Sequence, residues 1–456
     1  NTAVGKNSLY TNNGNDNTAV GHDALELNTS GASNTAVGRQ ALEANTTGAY
    51  NTAVGLCSQN SVTTASSNVS IGANSLRDNV TGTANTALGH AALIVNTASN
   101  NTAVGWLSLS ANTTGTQNVA LGVAVKANTT ANNNIGIGYD ALCVNQTGNA
   151  NVAIGTDSLR NNTVANNTAI GYTSLAANTT GTENVAVGAL ALDANTTGSW
   201  NTAVGYIALS ATTTADNNTA IGREALRDTT TGASNTAVGK EALKVNTTGN
   251  CNTAVGHVAG LALTTGIANT MIGARAGCTT TTGDRNVFIG EATGSHGTGL
   301  TTGDVNTYIG YAIQPSSASV CCELVINAKG NASTGKGTQT GFIDVSSGVY
   351  KGNNTSTWST VSDRRIKKNI TDNNIGLDKI SQIQVKNFEY RTLDEIIDFK
   401  NPETAVVDKQ GIQLGVIAQE IELFEPGMVT TESTGVKSIN PDNLTWYMIN
   451  AIKELK

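Results

Sequence analysis

The densest group of chemically capable residues lies near the C-terminus, in the run Ser359-Thr360-Val361-Ser362-Asp363-Arg364-Arg365-Ile366-Lys367-Lys368-Asn369-Ile370. A serine becomes a nucleophile only when a base removes its proton. The last histidine of the chain is His296, so a Ser-His-Asp arrangement has no histidine to draw on in the C-terminal region, and lysine is the base that remains. A lysine takes that proton only when neutral, so its pKa must fall from about 10.4 through burial or neighbouring positive charge. The arginines of the run would add such a field, and Asp363 would oppose it unless paired with one of them. Spacing alone fits a solvated basic turn equally well.

The elements that must position this run belong to two kinds of sequence. Only 13% of the 456 residues are charged and 4% aromatic, with four prolines, against about 25% charged and about 5% proline in ordinary domains. That composition excludes an average globular enzyme. It also excludes a typical disordered chain, since hydrophobic residues reach 39% while proline and charge are scarce. All four prolines follow residue 310, and 27 of the 59 charged residues lie in 363–456.

Before residue 310 the chain is a repeat. Asn-Thr-Ala-Val-Gly or a variant begins nineteen times from Asn1 to Asn306, at steps of 16 or 17 residues that stretch to 20 at the end. A representative unit, Asn34 to Tyr50, reads NTAVGRQALEANTTGAY. A fixed period of β-prone and turn-prone stretches predicts stacked coils of a β-solenoid or β-roll, two short strands to a coil, roughly 90 Å long at about 4.8 Å per coil. Val37, Val54, Val204 and Val238, with Leu42, Leu209 and Leu243, are expected to fill internal columns. Two apolar side chains per coil are little against the conformational entropy of seventeen ordered residues. Lateral packing of three rolls is therefore expected.

The repeat is poor in site chemistry. Charges occupy variable slots, as at Arg39, Asp157, Glu224 and Lys240, so no carboxylate pair recurs for glycosidase chemistry, and no enzymatic activity is expected in the shaft. The Asn and Thr columns could face ice or sugar, but Asn-Thr-Thr-Gly is turn chemistry, and turns are the expectation. His22, His90, His257 and His296 are scattered and expected at the surface. Cys57, Cys143, Cys251, Cys278, Cys321 and Cys322 form no zinc framework; they are expected as buried thiols in a reducing cytoplasm. No metal and no cofactor is implied. No apolar stretch of about 18 residues occurs, and the net charge is −7, so neither membrane insertion nor nucleic-acid binding is expected. Asn1 opens directly on a repeat and reads as a processing point or cloning boundary.

Two resemblances add to this reading. The coils, with Asn151-Val152-Ala153-Ile154-Gly155 as an example, resemble the trimeric β-roll heads of YadA-type bacterial adhesins. The run SDRRIKKNI, then VKNFEYR (385–391), GVIAQEIE (415–422), and GVKSINPDNL (435–444) leading into AIKELK (451–456), closely resembles the autoproteolytic intramolecular chaperone at the C-terminus of phage tailspikes and tail fibres. The resemblance implies a mainly β homotrimer: a β-roll shaft at 1–310, a transitional β segment at 311–361, and a small α+β chaperone domain at 362–456 ending in a coiled-coil helix. It implies a single-turnover serine autoprotease with Ser362 and Lys367 as catalytic pair, cutting between Val361 and Asp363 on one side of Ser362. It further implies a virion tail fibre, assembled in the host cytoplasm and exposed outside, with a host surface receptor, glycan or protein, and other tail proteins as partners. A cell-surface adhesin carrying the same chaperone is the alternative, and a tailspike acting on host polysaccharide is disfavoured by the missing carboxylate pairs.

A spacing of five places two side chains about 140° apart on a helix. Ser362 and Lys367 must therefore meet across a turn or between chains. Downstream, Asn440 is expected to cap a helix with Pro441 at its first position. Leu444, Met448, Ala451, Ile452 and Leu455 would form its apolar stripe. Ile417 and Ile421 are expected in the core, and Phe388 and Tyr390 on a half-buried strand.

Overall fold

The computed structural model describes residues 1–328, 330–344, 349–351, 370–392, 395–396, 410–431 and 436–456. They fall into two compact units, Asn1–Val361 and Ser362–Lys456. The first is a β-solenoid whose coils follow the 16- or 17-residue period, and the fold is mainly β.

Each repeat lays down one short strand at the head of its coil, from Thr2–Val4 through Thr35–Val37 and Thr52–Val54 to Thr307–Gly310. Like positions stack in parallel register, with Thr35 beside Thr52, Ala36 beside Ala53 and Val37 beside Val54. Leu324–Asn327 and Gly341–Asp344 continue the ladder in parallel, and Val349–Lys351 ends it by pairing antiparallel.

Alternation along these strands corrects the expected core. With a side-chain period of two, only one of Thr35, Ala36 and Val37 can point inward, and it is the alanine: Ala36 is fully buried while Val37 is exposed. Ala41 and Leu42 complete the apolar interior of the coil. Leucine therefore fills an internal column as expected, whereas valine stands on the outer face beside threonine. That outer pair recurs without a charge: position two is Thr, Val, Ile, Leu or Gly, and position four is Val, Ile or Leu, in every rung through Ile343.

The second strand expected in each coil is absent from the coil Asn34–Tyr50. Gln40 and Leu42 have φ of 58° and 51°, in the left-handed region, far from the roughly −120° of a parallel strand. A non-glycine residue there is strained on the order of 1 kcal/mol. The neighbouring coils hold it in place: the Leu42 N–H donates to the Ser58 carbonyl at 3.0 Å and the Gln40 N–H to His22 at 2.9 Å. At Gly38, with φ of 137°, a Cβ would lie 2.4 Å from the Gly55 oxygen, so only glycine fits the corner.

The asparagines are more than turn residues. Asn201 is fully buried; its Oδ1 accepts from the Asn218 N–H at 3.0 Å and its Nδ2 donates to the Ala215 carbonyl at 2.8 Å. A carboxamide both donates and accepts, so one residue type satisfies its own coil and the next. In a second column the Asn45 Nδ2 donates to the Asn28 Oδ1 at 2.7 Å. Where the following coil lacks asparagine, at Val62, Thr212 and Leu263, the Oδ1 of Asn45, Asn195 and Asn246 has no hydrogen-bond partner. Asn201→Leu leaves two buried groups unpaired, each costing about 1–3 kcal/mol. Urea unfolding of the variant should show a clearly lowered midpoint; an unchanged one would remove the ladder from the account.

Near its distal end the shaft exchanges volume between columns. Met271, Phe288 and Tyr308 take the alanine slot, and Gly260, Gly277 and Gly294 take the leucine slot. A Cβ on Gly294 would meet Phe288 at 2.2 Å, so the large ring is accommodated because its neighbour is small. The first asparagine column ends on Glu323, whose buried carboxylate accepts from the Tyr308 hydroxyl and the Gly337 N–H, both at 2.7 Å.

None of the six cysteines is buried, contrary to expectation. Alanine and leucine hold the inward slots, and the cysteines occupy variable, outward ones. The four histidines are exposed.

One ion cluster carries a pH dependence. The Glu224 carboxylate receives Lys244 at 2.7 Å, Arg223 at 2.6 Å and Arg227 at 3.1 Å. Lys244 first, then Arg223, lowers its pKa to about 2 against the resistance of burial. A depressed carboxyl stabilises the fold fully above its unfolded value of 4.5 and loses that contribution as pH falls towards 2. Thermal melts should therefore place Glu224→Gln below the unmodified chain at pH 7, with the gap closing between pH 4.5 and 2. A gap independent of pH would contradict this.

Candidate functional site

Ser362, Lys367 and their neighbours Val361 and Asp363 lie outside the described residues. The described remainder of the C-terminal unit begins at Ile370.

Immediately downstream, the chain is tied to the C-terminal helix. Helix α1 spans Leu377–Ile380, α2 spans Ala418–Glu422 and α3 spans Leu444–Glu454. Asn450 of α3 donates through Nδ2 to the carbonyls of Asn373 at 2.7 Å and Ile375 at 3.2 Å. The Leu377 N–H donates to Glu454 at 3.0 Å. A Cβ on Gly376 would stand 2.2 Å from the Ala451 nitrogen, so α1 and α3 meet where neither carries bulk. The segment leaving the serine–lysine run is thereby anchored by three polar contacts and one close backbone approach.

The other singled-out motifs converge on one cleft. Lys386–Phe388 pairs antiparallel with Gln413–Gly415, and Val429–Thr431 with Lys437–Ile439. Phe388 and Tyr390, their rings edge to face at 5.3 Å, line a cleft of about 340 Å³ with Ile417, Lys437 and Ile439. VKNFEYR, GVIAQEIE and the start of GVKSINPDNL thus share one wall. Lys386 pairs with Glu420 and Lys437 with Glu422. Lys379 pairs with Glu425 at 2.6 Å and also donates to the Phe424 carbonyl. Glu425 raises the Lys379 pKa, the opposite of what a lysine base requires. All three lysines are held in ion pairs.

One expectation for this unit is corrected. The helix starts at Leu444 with Asn443 in the N-cap place, and Pro441–Asn443 forms a separate 3₁₀ turn; a proline fits the tighter turn as readily as a helix start. Of the expected apolar stripe only Ala451 is buried, while Met448, Ile452 and Leu455 are exposed along with Trp446 and Ile449. Ile421 is buried, Ile417 half-buried, and Phe388 half-buried on its strand. Among the described residues of the unit, the buried apolar side chains are Ile421, Met428 and Ala451.

In the shaft, three carboxylates, Asp23, Glu26 and Glu43, lie within 4.8 Å of one another. Two are already engaged, Asp23 by His22 and Glu43 by Asn60. Sequence reasoning missed a groove at Asp157, Arg160, Asn161, Tyr172 and Asp193. Its signal was available in the residue after each coil's glycine, which is aromatic in alternate coils over part of the shaft. Among the described residues no helix is long and apolar enough to cross a membrane.

Residues 362–430 match the family described as chaperone of endosialidase. The match opens on Ser362, the first residue of the second compact unit. A β-solenoid shaft followed by this domain fits a tailspike or tail fibre with a C-terminal chaperone. No curated protein and no solved structure matches the chain.

Proposed function

We propose that the chain is the protomer of a homotrimeric viral tail fibre, and that residues 362–456 fold and align three shafts and then detach themselves by cutting next to Ser362. The observation that carries this reading is the family match beginning at Ser362, which supports an intramolecular chaperone with autoproteolysis. In the reaction, the Ser362 hydroxyl attacks the adjoining peptide carbonyl while neutral Lys367 accepts its proton. The lysine returns that proton to the departing amine, and water then hydrolyses the serine ester.

Two features support assembly. The C-terminal unit leaves the apolar side of α3 uncovered, as a helix does when its partner is another helix. The shaft likewise presents an unbroken Val/Ile/Leu column along its outer face, a continuous apolar surface of the kind that marks an interface. Three copies would cover both. The finished fibre would work outside the cell, on the virion tail, by attaching to a host surface receptor. The mass of the assembled product tests this reading, a trimer of cut shafts being the expected species.

A further inference from the structure

The residue after each coil's glycine is Trp106, Tyr139, Tyr172 and Tyr206 in four alternate coils, with Val123, Thr156 and Ala189 in the coils between. Their strands are consecutive rungs of one parallel ladder, so the rings recur every two rungs, about 9.5 Å. All four stand out from the surface, at 58, 59, 57 and 49% exposure. A buried contact between copies suits this column poorly. Elsewhere along the shaft it carries Lys6, Arg39, Arg223, Lys240 and Glu291, charges that a buried contact would have to desolvate.

Tyr172 also forms one wall of a groove of about 350 Å³ lined by Asp157, Arg160, Asn161, Thr173 and Asp193. In it Asp193 Oδ1 and Thr173 Oγ1 are shielded from solvent without a hydrogen-bond partner. Burial pushes the Asp193 carboxyl up, partly offset by its own and the Ala194 N–H. Apolar ring faces at a regular step, with donors and acceptors of both kinds beside them, suit a ligand that is apolar on its faces and hydroxylated round its edge.

We propose that the row from Trp106 to Tyr206 is a track for a linear neutral glycan lying along the shaft, its sugar faces on the rings and its hydroxyls on Asp157, Arg160, Asn161 and Asp193. The two carboxylates against one guanidinium disfavour an anionic polymer. Small residues between the rings leave room for the sugars that do not stack. The proposal rests on the attachment reading and names its receptor class.

The test is titration calorimetry of the full chain with hexamers of β-1,4-linked glucose, β-1,4-linked N-acetylglucosamine and α-1,4-linked glucose, and with an anionic galacturonate hexamer. At least one neutral hexamer should bind. Tyr172→Ala should weaken it about tenfold, a change of about 1.4 kcal/mol, and Tyr139→Ala/Tyr172→Ala should weaken it further. Arg39→Ala, in the same column four coils before Trp106, should leave it unchanged. Thermal melts of each variant confirm that the shaft remains folded. Binding by no neutral hexamer, preference for the galacturonate, or full binding by the double variant would overturn the track. If the double variant still coats bacterial cells, attachment stands and the track fails; if the unmodified chain neither binds hexamers nor coats cells, both fail.

Discussion

A chain carrying Ser362→Ala will stay whole at 46.6 kDa under conditions in which the unmodified chain separates into a shaft and a C-terminal fragment. The expected loss of cleavage rate is at least about a thousandfold, because removal of a nucleophile leaves only the residual catalysis of the site. Lys367→Ala should fail equally. Lys367→Arg is the sharper probe: a guanidinium keeps the positive charge but does not release its proton in proteins, so a merely electrostatic role would survive the exchange and a base would not. Cleavage by the unmodified chain should rise with pH, since only neutral lysine accepts the serine proton. Co-assembly of Ser362→Ala with Lys367→Ala chains then locates the pair. Cleavage in the mixture places it between chains, and its absence places it within one.

Deleting residues 362–456 before synthesis should abolish assembly, whereas losing them after assembly should leave the fibre intact. The reason lies in the rungs. Position four is Val, Ile or Leu in each of them, so sliding one shaft past another by a whole coil exchanges one apolar side chain for an equivalent one. Such a surface specifies contact but barely specifies register. A non-repeating domain must set it. With the exposed stripe of Met448, Ile449 and Ile452 on α3 and Leu455 just after it, the C-terminal unit has a face suited to that task. Size-exclusion chromatography of the truncated chain should show monomer or aggregate, and the cut product of the full chain should elute as a trimer. Clean trimer from the truncated chain would mean that the shaft aligns itself.

The solenoid was legible in the sequence because its period is strict, but the orientation of its residues was not. Thr35, Ala36 and Val37 could turn inward at either the valine or the alanine, and hydrophobicity favours valine. The deciding influence is Leu42, which fills so much of the coil that only alanine fits opposite. The same balance explains why Phe288 appears where Gly277 and Gly294 have removed the leucine. Left-handed Gln40 and Leu42 carry no local signal, since neither prefers that region and only the stack imposes it. Asn45 of Asn-Thr-Thr-Gly reads as turn chemistry because its ladder partner, Asn28, lies in the preceding coil, 17 residues away. In the C-terminal unit the motifs marked the domain. The helix start was displaced by three residues because Pro441 fits either kind of turn. Ser362 and Lys367 rest on resemblance alone, as residue spacing also suits a basic turn.

The central claim, that three chains are assembled by a domain which then removes itself, reduces to the mass of the particle. Native mass spectrometry of freshly purified full-length product, followed by denaturation of the same sample, separates stoichiometry from cleavage. The account predicts a trimer of shaft chains each ending at Val361 or Ser362, together with a separate C-terminal fragment, and an uncut trimer of 46.6 kDa chains for Ser362→Ala. A monomeric, uncut chain from the unmodified gene would contradict it.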